Sequence, residues 1–164
     1  MHIINLNFTR FSRTPFSILF RAIGVYVIWD GRQKIRPSYI GEGNILERFA
    51  KEHTKRFSRP IDGYVAILGD ISNRSYKPDA RISERLLLEV GKLIDRYPTV
   101  NISEGFLKPI RDIFENHGVL KINVSGFDPF FPPWSPNQLK TKKVVRLHKE
   151  RGQIYISHGW RRRS

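Results

Sequence analysis

The sequence predicts an α+β domain built on a small three-stranded sheet flanked by helices. Three segments have the composition of strands: Ile23–Trp29, Ser38–Gly41 and Gly63–Leu68. Helical periodicity follows the second strand at Ile45–Thr54 and the third at Ala80–Tyr97, which ends before a proline. The resulting order is β-β-α-β-α. A chain of 164 residues with 40% hydrophobic content is sufficient for one core of this kind.

The segments on either side of this core are predicted to be additions to it. Residues 1–22 alternate apolar and polar side chains around Leu6 and are interpreted as a strand or a docked N-terminal arm. After the core, a helix at Phe106–Asn116 and a strand at Val119–Val124 precede a proline-rich stretch that cannot be regular. Residues 23–102 are therefore the expected core, and residues 103–164 a basic, aromatic and proline-rich α/β extension packed on it.

The first two predicted strands carry two tyrosine motifs. Gly24-Val25-Tyr26 lies inside the first strand, and Tyr39-Ile40-Gly41 begins the second. Gly31 in the polar stretch between them supplies a hairpin turn, so we expect the two strands to pair antiparallel. Three further pieces follow in order: Arg48, the run Leu86-Leu87-Leu88-Glu89 before Leu93-Ile94, and Asn101.

This set of residues resembles the GIY-YIG nuclease domain over roughly Ile23 to Ile102. The resemblance implies a small three-stranded antiparallel sheet flanked by helices, and an endonuclease that hydrolyses phosphodiester bonds in DNA. It also implies that Tyr26 is the general base and that Tyr39 holds the attacking water or a phosphate oxygen. A phenol has a reference pKa of about 10, so this base needs a cation beside it. Arg48 would supply that cation and also contact the phosphate.

The metal ion expected for this chemistry is Mg²⁺ or Mn²⁺, bound by carboxylate and water ligands. The chain lacks a dense Asp/Glu cluster near the tyrosines, which favours one metal ion over two. Glu89 is the expected ligand, because it follows an apolar run and precedes Asn101 by twelve residues, as the resemblance requires. Glu84 flanks the same apolar helical stripe, so periodicity leaves it as an alternative.

Two further residues have expected supporting roles. The side-chain amide of Asn101 is expected to tie the loop after Pro98 to the strands. His53 follows Arg48 by five residues, whereas members of the family that carry an extra histidine or lysine often place it four residues after. His53 is therefore a candidate second base, with Lys51 and Lys55 as alternatives.

The composition favours a polyanionic partner. The chain has 29 Lys and Arg residues against 15 Asp and Glu residues, which gives a formal net charge of +14. Such a surface binds nucleic acid through phosphate contacts and counterion release. DNA is the expected partner and RNA the alternative, while the oligomeric state is not indicated. The candidate contacts are Lys51, Lys55, Arg56, Lys140, Lys142, Lys143, Arg146, Arg161 and Arg162.

What the sequence lacks disfavours other classes of protein. No apolar run approaches the roughly 18 residues of a membrane span, and the N-terminus lacks the order of a signal peptide. A cytoplasmic protein is therefore expected, with a secreted effector as the alternative. The absence of cysteine excludes disulfides, thiolate metal sites and a thiol nucleophile. A noncatalytic nucleic-acid-binding module and a nuclease toxin with the same chemistry stay open as alternative functions.

Overall fold

The structure is a computed structural model that describes residues 1–31, 34–53, 61–101, 110–118, 120–135 and 140–161. Most of the regular structure in these ranges consists of β-strands. Seven strands in these ranges form one mixed sheet in the order β3-β2-β4-β1-β5-β6-β7. Their bounds are β1 His2–Arg10, β2 Ala22–Asp30, β3 Tyr39–Asn44, β4 Ile61–Asp70, β5 Leu120–Phe127, β6 Lys140–Glu150 and β7 Gln153–Ser157. Neighbouring strands are antiparallel except β1 and β5, which are parallel.

Helices are fewer and mostly short. The α-helices are α1 (Phe16–Leu19), α2 (Lys77–Leu93) and α3 (Ile110–His117), and the segment Leu46–His53 forms a π-helix. Two 3₁₀ turns, Phe11–Arg13 and Arg74–Tyr76, precede α1 and α2. Within the described ranges, no helix combines the length and the apolar character needed to cross a lipid bilayer.

The expected three-stranded sheet is wrong, because its strands form only one end of a larger sheet. The three predicted strands are present as β2, β3 and β4 and pair antiparallel. However, β1 pairs with the free edge of β4, so residues 1–22 do not form a separate arm. Ile4, Leu6 and Phe8 are fully buried. Their period-2 pattern therefore belongs to a central strand, and its pairing removes the unpaired backbone groups that β4 would otherwise expose.

The C-terminal part of the chain also joins this sheet. β5 pairs in parallel with β1, and β6 and β7 follow by antiparallel pairing. The strand predicted at Val119–Val124 corresponds to β5, with Val119 outside the described residues, and the basic stretch after Lys140 is a strand as well. The sequence predicted that residues 103–164 are an extension packed on a three-stranded core. Instead, β5, β6 and β7 continue the same sheet.

The two faces of the sheet are covered differently. We call the face that carries Val25, Val27 and Ile40 the α2 face, because these residues pack with buried side chains of α2 in a cluster that extends across to β6. The opposite face, the tyrosine face, carries a second cluster around Tyr26 and Phe49 that lies over β2, β3 and β4. From β1 outward the tyrosine face exposes alternate residues of each strand.

The proline-rich segment after β5 closes the α2 face. Its backbone carbonyls accept hydrogen bonds from buried aromatic side chains: Trp29 Nε1 donates to Pro129 at 3.0 Å and the Tyr64 hydroxyl to Phe131 at 2.7 Å. Asp128 accepts from Trp160 Nε1 at 3.0 Å, which fixes the end of the described chain on the core. Burial raises the pKa of Asp128, although its hydrogen bonds with Phe130 and Trp160 oppose the shift.

Candidate active site

The two tyrosine motifs lie side by side on neighbouring strands. In the β2–β3 ladder, Tyr26 is opposite Gly41, Gly24 is opposite Gly43, and Ile28 is opposite Tyr39. The antiparallel pairing expected for these strands is confirmed. Because β3 is the first strand in the sheet order, the second tyrosine motif lies on an edge strand and the first lies on its neighbour β2.

The motif glycines are required by packing. A side chain at Gly41 would collide with the ring and hydroxyl of Tyr26, which lie directly over this glycine. A side chain at Gly24 would collide with the backbone carbonyl of Ala66 on β4. Gly41 therefore allows the Tyr26 ring to lie against β3, and Gly24 allows the Ala66 carbonyl to lie against β2.

The two tyrosine rings contact each other on the tyrosine face. The ring centroids of Tyr26 and Tyr39 are 6.1 Å apart at an interplanar angle of 23°, and Phe49 meets Tyr26 edge-on at 6.0 Å. Tyr26 is only 1% exposed, whereas Tyr39 is half-buried. Tyr26 is thus a core residue whose hydroxyl is directed over Gly41 toward the edge strand.

Arg48 reaches the same edge from the π-helix. Of the helix predicted at Ile45–Thr54, the structure describes Leu46–His53, and this segment is wound as a π-helix, a form found frequently at functional sites. The Arg48 side chain lies alongside Gly43, with Nε 3.7 Å from the position that a Cβ atom would occupy. Gly43 has a φ of +121°, which few side chains tolerate. Because Gly43 has no side chain, the space next to its Cα stays open, and the Arg48 side chain lies next to that space.

A pair of glutamates meets this edge from the α2 face. Strand alternation places Glu42 on the same face as Ile40, and Glu84 projects from α2, which packs against β3. Burial and the nearby Glu42 carboxylate raise the pKa of Glu84 to about 7, while Arg85, Arg48 and Arg81 oppose the shift. Glu42 was missed as a site residue in the sequence, although it directly follows the second tyrosine motif.

Glu89 has different neighbours. Lys92 Nζ donates to Glu89 Oε1 at 3.3 Å, one helical turn along α2. Its carboxylate also contributes to a raised pKa of Tyr97, after the larger effect of burial. The structure therefore brings Glu84 to the Arg48 edge of the sheet and gives Glu89 a lysine partner.

A cavity of about 410 Å³ lies beside Arg48 and Glu42. Its wall contains residues of β2, β3, the π-helix, the turn after β4 and α2: Ile23, Glu42, Gly43, Asn44, Glu47, Arg48, Ile71, Lys77 and Arg81. Arg81 Nε lies 3.9 Å from Glu42 Oε1, a partly exposed ion pair that contributes little stability. Three cationic side chains and two glutamates line this cleft, so its wall carries a small positive formal charge, which favours an anionic substrate.

The donor set here fits a hard divalent cation. The carboxylates of Glu42 and Glu84 are near enough to act on each other electrostatically, and Mg²⁺ is commonly bound by one or two carboxylates with water completing the shell. Among the described residues there is no group of three or more His, Asp and Glu side chains that could hold a metal ion. A site of this kind would rely on the two glutamates and water.

Asn101 bonds directly to the edge strand. Its Oδ1 accepts from the Ile40 backbone N–H at 2.8 Å, and its Nδ2 donates to the Ile40 carbonyl at 2.9 Å. The side chain thus occupies the place of a neighbouring strand beside β3. These bonds confirm the supporting contact expected of Asn101, and its importance for catalysis stays a prediction.

The predicted nucleic-acid contacts divide between several surfaces. Lys142 and Arg146 are exposed on the tyrosine face of β6. Lys143 points the other way and donates to the Gly159 carbonyl at 3.0 Å. Lys140 and Arg161 line a cleft of about 320 Å³ beside Asp128. Lys55, Arg56 and Arg162 lie outside the described residues, as do the side chains of Lys51 and His53 on the π-helix.

Comparison of the chain with models of protein families, with curated proteins and with solved structures gave no match. The resemblance to the GIY-YIG nuclease domain therefore rests on the motif residues alone. Tyr26, Tyr39 and Asn101 lie at or near one edge of the sheet, through the register of Tyr26 with Gly41 and the bonds of Asn101 to Ile40, whereas Glu89 pairs with Lys92 on α2. The seven-stranded sheet around them differs from the small sheet that the resemblance implies.

Proposed function

We propose that this protein is a metal-dependent endonuclease that hydrolyses phosphodiester bonds in DNA. The observation that carries the proposal is the convergence of Arg48 with the Glu42–Glu84 pair at the glycine-rich edge of β3. A phosphodiesterase needs a cation for the pentacoordinate transition state, carboxylates for a metal ion and a base for water. The β3 edge provides candidates for all three, with the carboxylates on the α2 face and the base, Tyr26, on the tyrosine face over Gly41.

The two glutamates are the proposed metal ligands. Burial makes a second negative charge beside Glu42 unfavourable, which is why Glu84 has a raised pKa. A divalent cation between the carboxylates would remove that cost. Mg²⁺ or Mn²⁺, when bound, neutralises charge on the phosphate and assists the leaving oxygen. The expectation that Glu89 is the ligand is therefore replaced, in this proposal, by its alternative Glu84.

Arg48 is the proposed phosphate ligand. Its guanidinium presents fixed N–H donors that suit two phosphate oxygens at once. Arg81 and Lys77 on the wall of the same cavity would hold neighbouring phosphates of the chain. Both Arg48 and Arg81 act electrostatically on Glu84, so the cations and the carboxylate form one charged site.

Tyr26 is the proposed general base. Its hydroxyl lies over Gly41, two residues along the edge strand from Gly43, where Arg48 lies. A phenol that acts as a base needs a cation close to its hydroxyl, because a positive charge favours the phenolate. Tyr39, stacked on Tyr26 and half-buried, would hold the attacking water or a phosphate oxygen. Asn101 fixes the strand that carries these groups, and His53 stays a candidate second base.

The net charge of +14 supports a nucleic acid as the substrate, and a cytoplasmic location is part of the proposal. The near-complete burial of Tyr26 favours one alternative, a noncatalytic module that binds nucleic acid and keeps the tyrosine for packing. The two functions differ in whether the polymer is cut.

Incubation with nucleic acid separates these functions. Supercoiled plasmid, single-stranded DNA and RNA are each incubated with the protein in Mg²⁺, in Mn²⁺ and in EDTA, and the products are separated and their ends mapped. We expect cleavage of DNA with either metal and none in EDTA. Binding without cleavage under all conditions would establish the noncatalytic alternative, and cleavage of RNA alone would change the substrate class.

A further inference from the structure

One half of the tyrosine face is an open platform formed by β1, β5, β6 and β7. The strand register places its side chains in rows across the sheet. One row contains Ile3, Lys121, Arg146 and Ser157, the next Asn5, Asn123 and Val144, and the third Asn7, Ser125 and Lys142. His148 and Tyr155 lie opposite each other at the far side. We call this surface the sheet platform.

The side chains of the sheet platform are accessible. Ile3 is 48% exposed and Tyr155 is 43% exposed, and Val144 is also exposed. On the other face of the same strands, residues such as Leu6, Ile122 and Leu147 are fully buried. The alternation is therefore that of a sheet with one face on the core and one face available to a partner.

Hydrogen bonds hold the polar rows in place. Asn123 Nδ2 donates to Asn5 Oδ1 at 2.9 Å, and the Ser125 hydroxyl donates to Asn7 Oδ1 at 3.3 Å. An amide side chain offers one acceptor and two donors, so each asparagine keeps further hydrogen-bonding capacity. The rows thus present fixed amide groups to a partner at little additional cost in side-chain ordering.

Charge and aromatic character narrow the class of partner. Lys121, Lys142 and Arg146 give the platform a positive charge, and Glu150 at one end is the one acid among the residues of these four strands. The rings of His148 and Tyr155 stack with centroids 5.8 Å apart, and the Tyr155 hydroxyl bonds to Gln153. Cations, amides and an exposed aromatic ring on the open face of a sheet are the elements that bind unpaired nucleotides.

We propose that the sheet platform binds single-stranded nucleic acid. The phosphates would contact Lys121, Lys142 and Arg146, while bases stack on Tyr155 and meet the amide rows. A duplex presents phosphates but keeps the faces of its bases stacked, so the exposed Tyr155, Ile3 and Val144 would gain no partner from it. The proposal goes beyond cleavage, because binding to the platform requires neither Glu84 nor Arg48.

Binding measured in EDTA tests this without any contribution from cleavage. Fluorescence anisotropy compares a labelled 20-nucleotide single-stranded DNA, the RNA of the same sequence and the DNA duplex at several salt concentrations. We expect single strands to bind more tightly than the duplex. The double variant Lys121→Gln/Arg146→Gln should weaken single-strand binding about tenfold or more and reduce the salt slope by about 1.4. Tyr155→Ala should weaken it about tenfold at all salt concentrations.

The matched control removes the same charge elsewhere. Lys92→Gln/Lys149→Gln changes an exposed lysine on α2 and one on β6 that faces α3 instead of the platform. We expect this variant to bind single strands within about threefold of the wild type. Equal losses in both double variants, or duplex binding that exceeds single-strand binding and is unaffected by Tyr155→Ala, would overturn the proposal. If the protein cleaves no nucleic acid in the separate assay, the proposed function fails but the binding proposal for the sheet platform does not.

Discussion

The two ends of the sheet differ in how many faces they bury. At the covered end, formed by β3, β2 and β4, α2 packs on one face and the tyrosine cluster on the other. At the open end, formed by β1, β5, β6 and β7, one face is buried and the other carries alternate polar and basic residues. β2 is buried along nearly its whole length, whereas β6 buries only two of its residues, Val145 and Leu147.

This difference predicts that the two ends of the sheet have different functions, catalysis at the covered end and binding at the open end. Packing on both faces fixes the positions of Tyr26 and Gly41, and two hydrogen bonds to Ile40 fix Asn101; the proposed catalysis requires groups fixed in this way. The open end offers accessible cations and amides that adapt to a flexible polymer. The comparison therefore predicts that substitutions at the covered end change the rate of cleavage, and substitutions at the open end change binding.

The largest expected effect is that of Glu84→Gln. This change removes one carboxylate charge without changing volume, so the site loses a proposed metal ligand and cleavage should fall by about 10³-fold. Glu89→Gln on the same helix is the matched control and should stay within about threefold of the wild type. Plasmid cleavage at saturating Mg²⁺ measures both rates. If Glu89→Gln is inactive and Glu84→Gln is active, Glu89 is the metal ligand, as the sequence predicted. The metal site would then not include the glutamate that lies near Arg48.

Arg48→Ala should have the next largest effect. The variant loses the cation beside Gly43, and the loss of one preorganised phosphate contact costs about 10²-fold in rate. Arg13→Ala removes the same charge from an exposed turn and should change the rate little. Single-turnover cleavage, with the unfolding midpoint in urea as a check on folding, provides the measurement. A normal rate in Arg48→Ala would remove this arginine from the site.

Tyr26→Phe tests whether a buried tyrosine at the covered end takes part in the reaction. The ring can keep its contacts with Phe49 and Gly41, so folding should survive while loss of a general base lowers the rate about 10²-fold. Tyr64→Phe is the control, because it deletes a hydroxyl that bonds to the Phe131 carbonyl on the α2 face. That control should lose about 1 kcal/mol of stability and no activity.

Full activity in Tyr26→Phe would mean that another group activates the water. The tyrosine would then serve only to fill the space above Gly41. The pH dependence of single-turnover cleavage by the wild type and Tyr26→Phe would show whether the variant loses a titrating group from the rate profile.

The sequence predicted local elements of the fold better than their arrangement. The apolar runs of β2 and β4 and the hairpin to β3 were identified because their signals are local. The place of β1 depends on β5, whose Asn123 bonds to Asn5 from 118 residues away. No local pattern encodes that distance, so a central strand was interpreted as a strand or docked arm outside the core. β6 was interpreted as a basic stripe because lysines occupy its exposed positions.

The candidate site shows the same limit. The order of the motifs was sufficient to select Tyr26, Tyr39, Arg48 and Asn101, all of which lie at or near one edge of the sheet. It did not distinguish Glu84 from Glu89, because both flank the apolar stripe of α2. The distinction depends on Glu42 and Arg48, which other elements bring beside Glu84.

The smallest expected effect is a pH dependence of stability at the covered end. Burial and Glu42 raise the pKa of Glu84 from 4.5 to about 7, against the opposing effect of Arg85, Arg48 and Arg81. Between these values the native state keeps a proton that the unfolded chain has lost. Raising the pH through this range therefore favours unfolding, and stability should fall by about 1–3 kcal/mol between pH 5 and pH 8.

Urea unfolding in EDTA at pH 5 and pH 8 measures this fall, and Glu84→Gln isolates it. The glutamine resembles the protonated carboxyl and cannot ionise, so most of the pH dependence should disappear in the variant. Glu89→Gln should keep the dependence of the wild type, because its partner is the exposed Lys92. Equal pH dependence in all three proteins would show that Glu84 ionises with an ordinary pKa. Placing two carboxylates together would then carry no free-energy cost that a metal ion could remove.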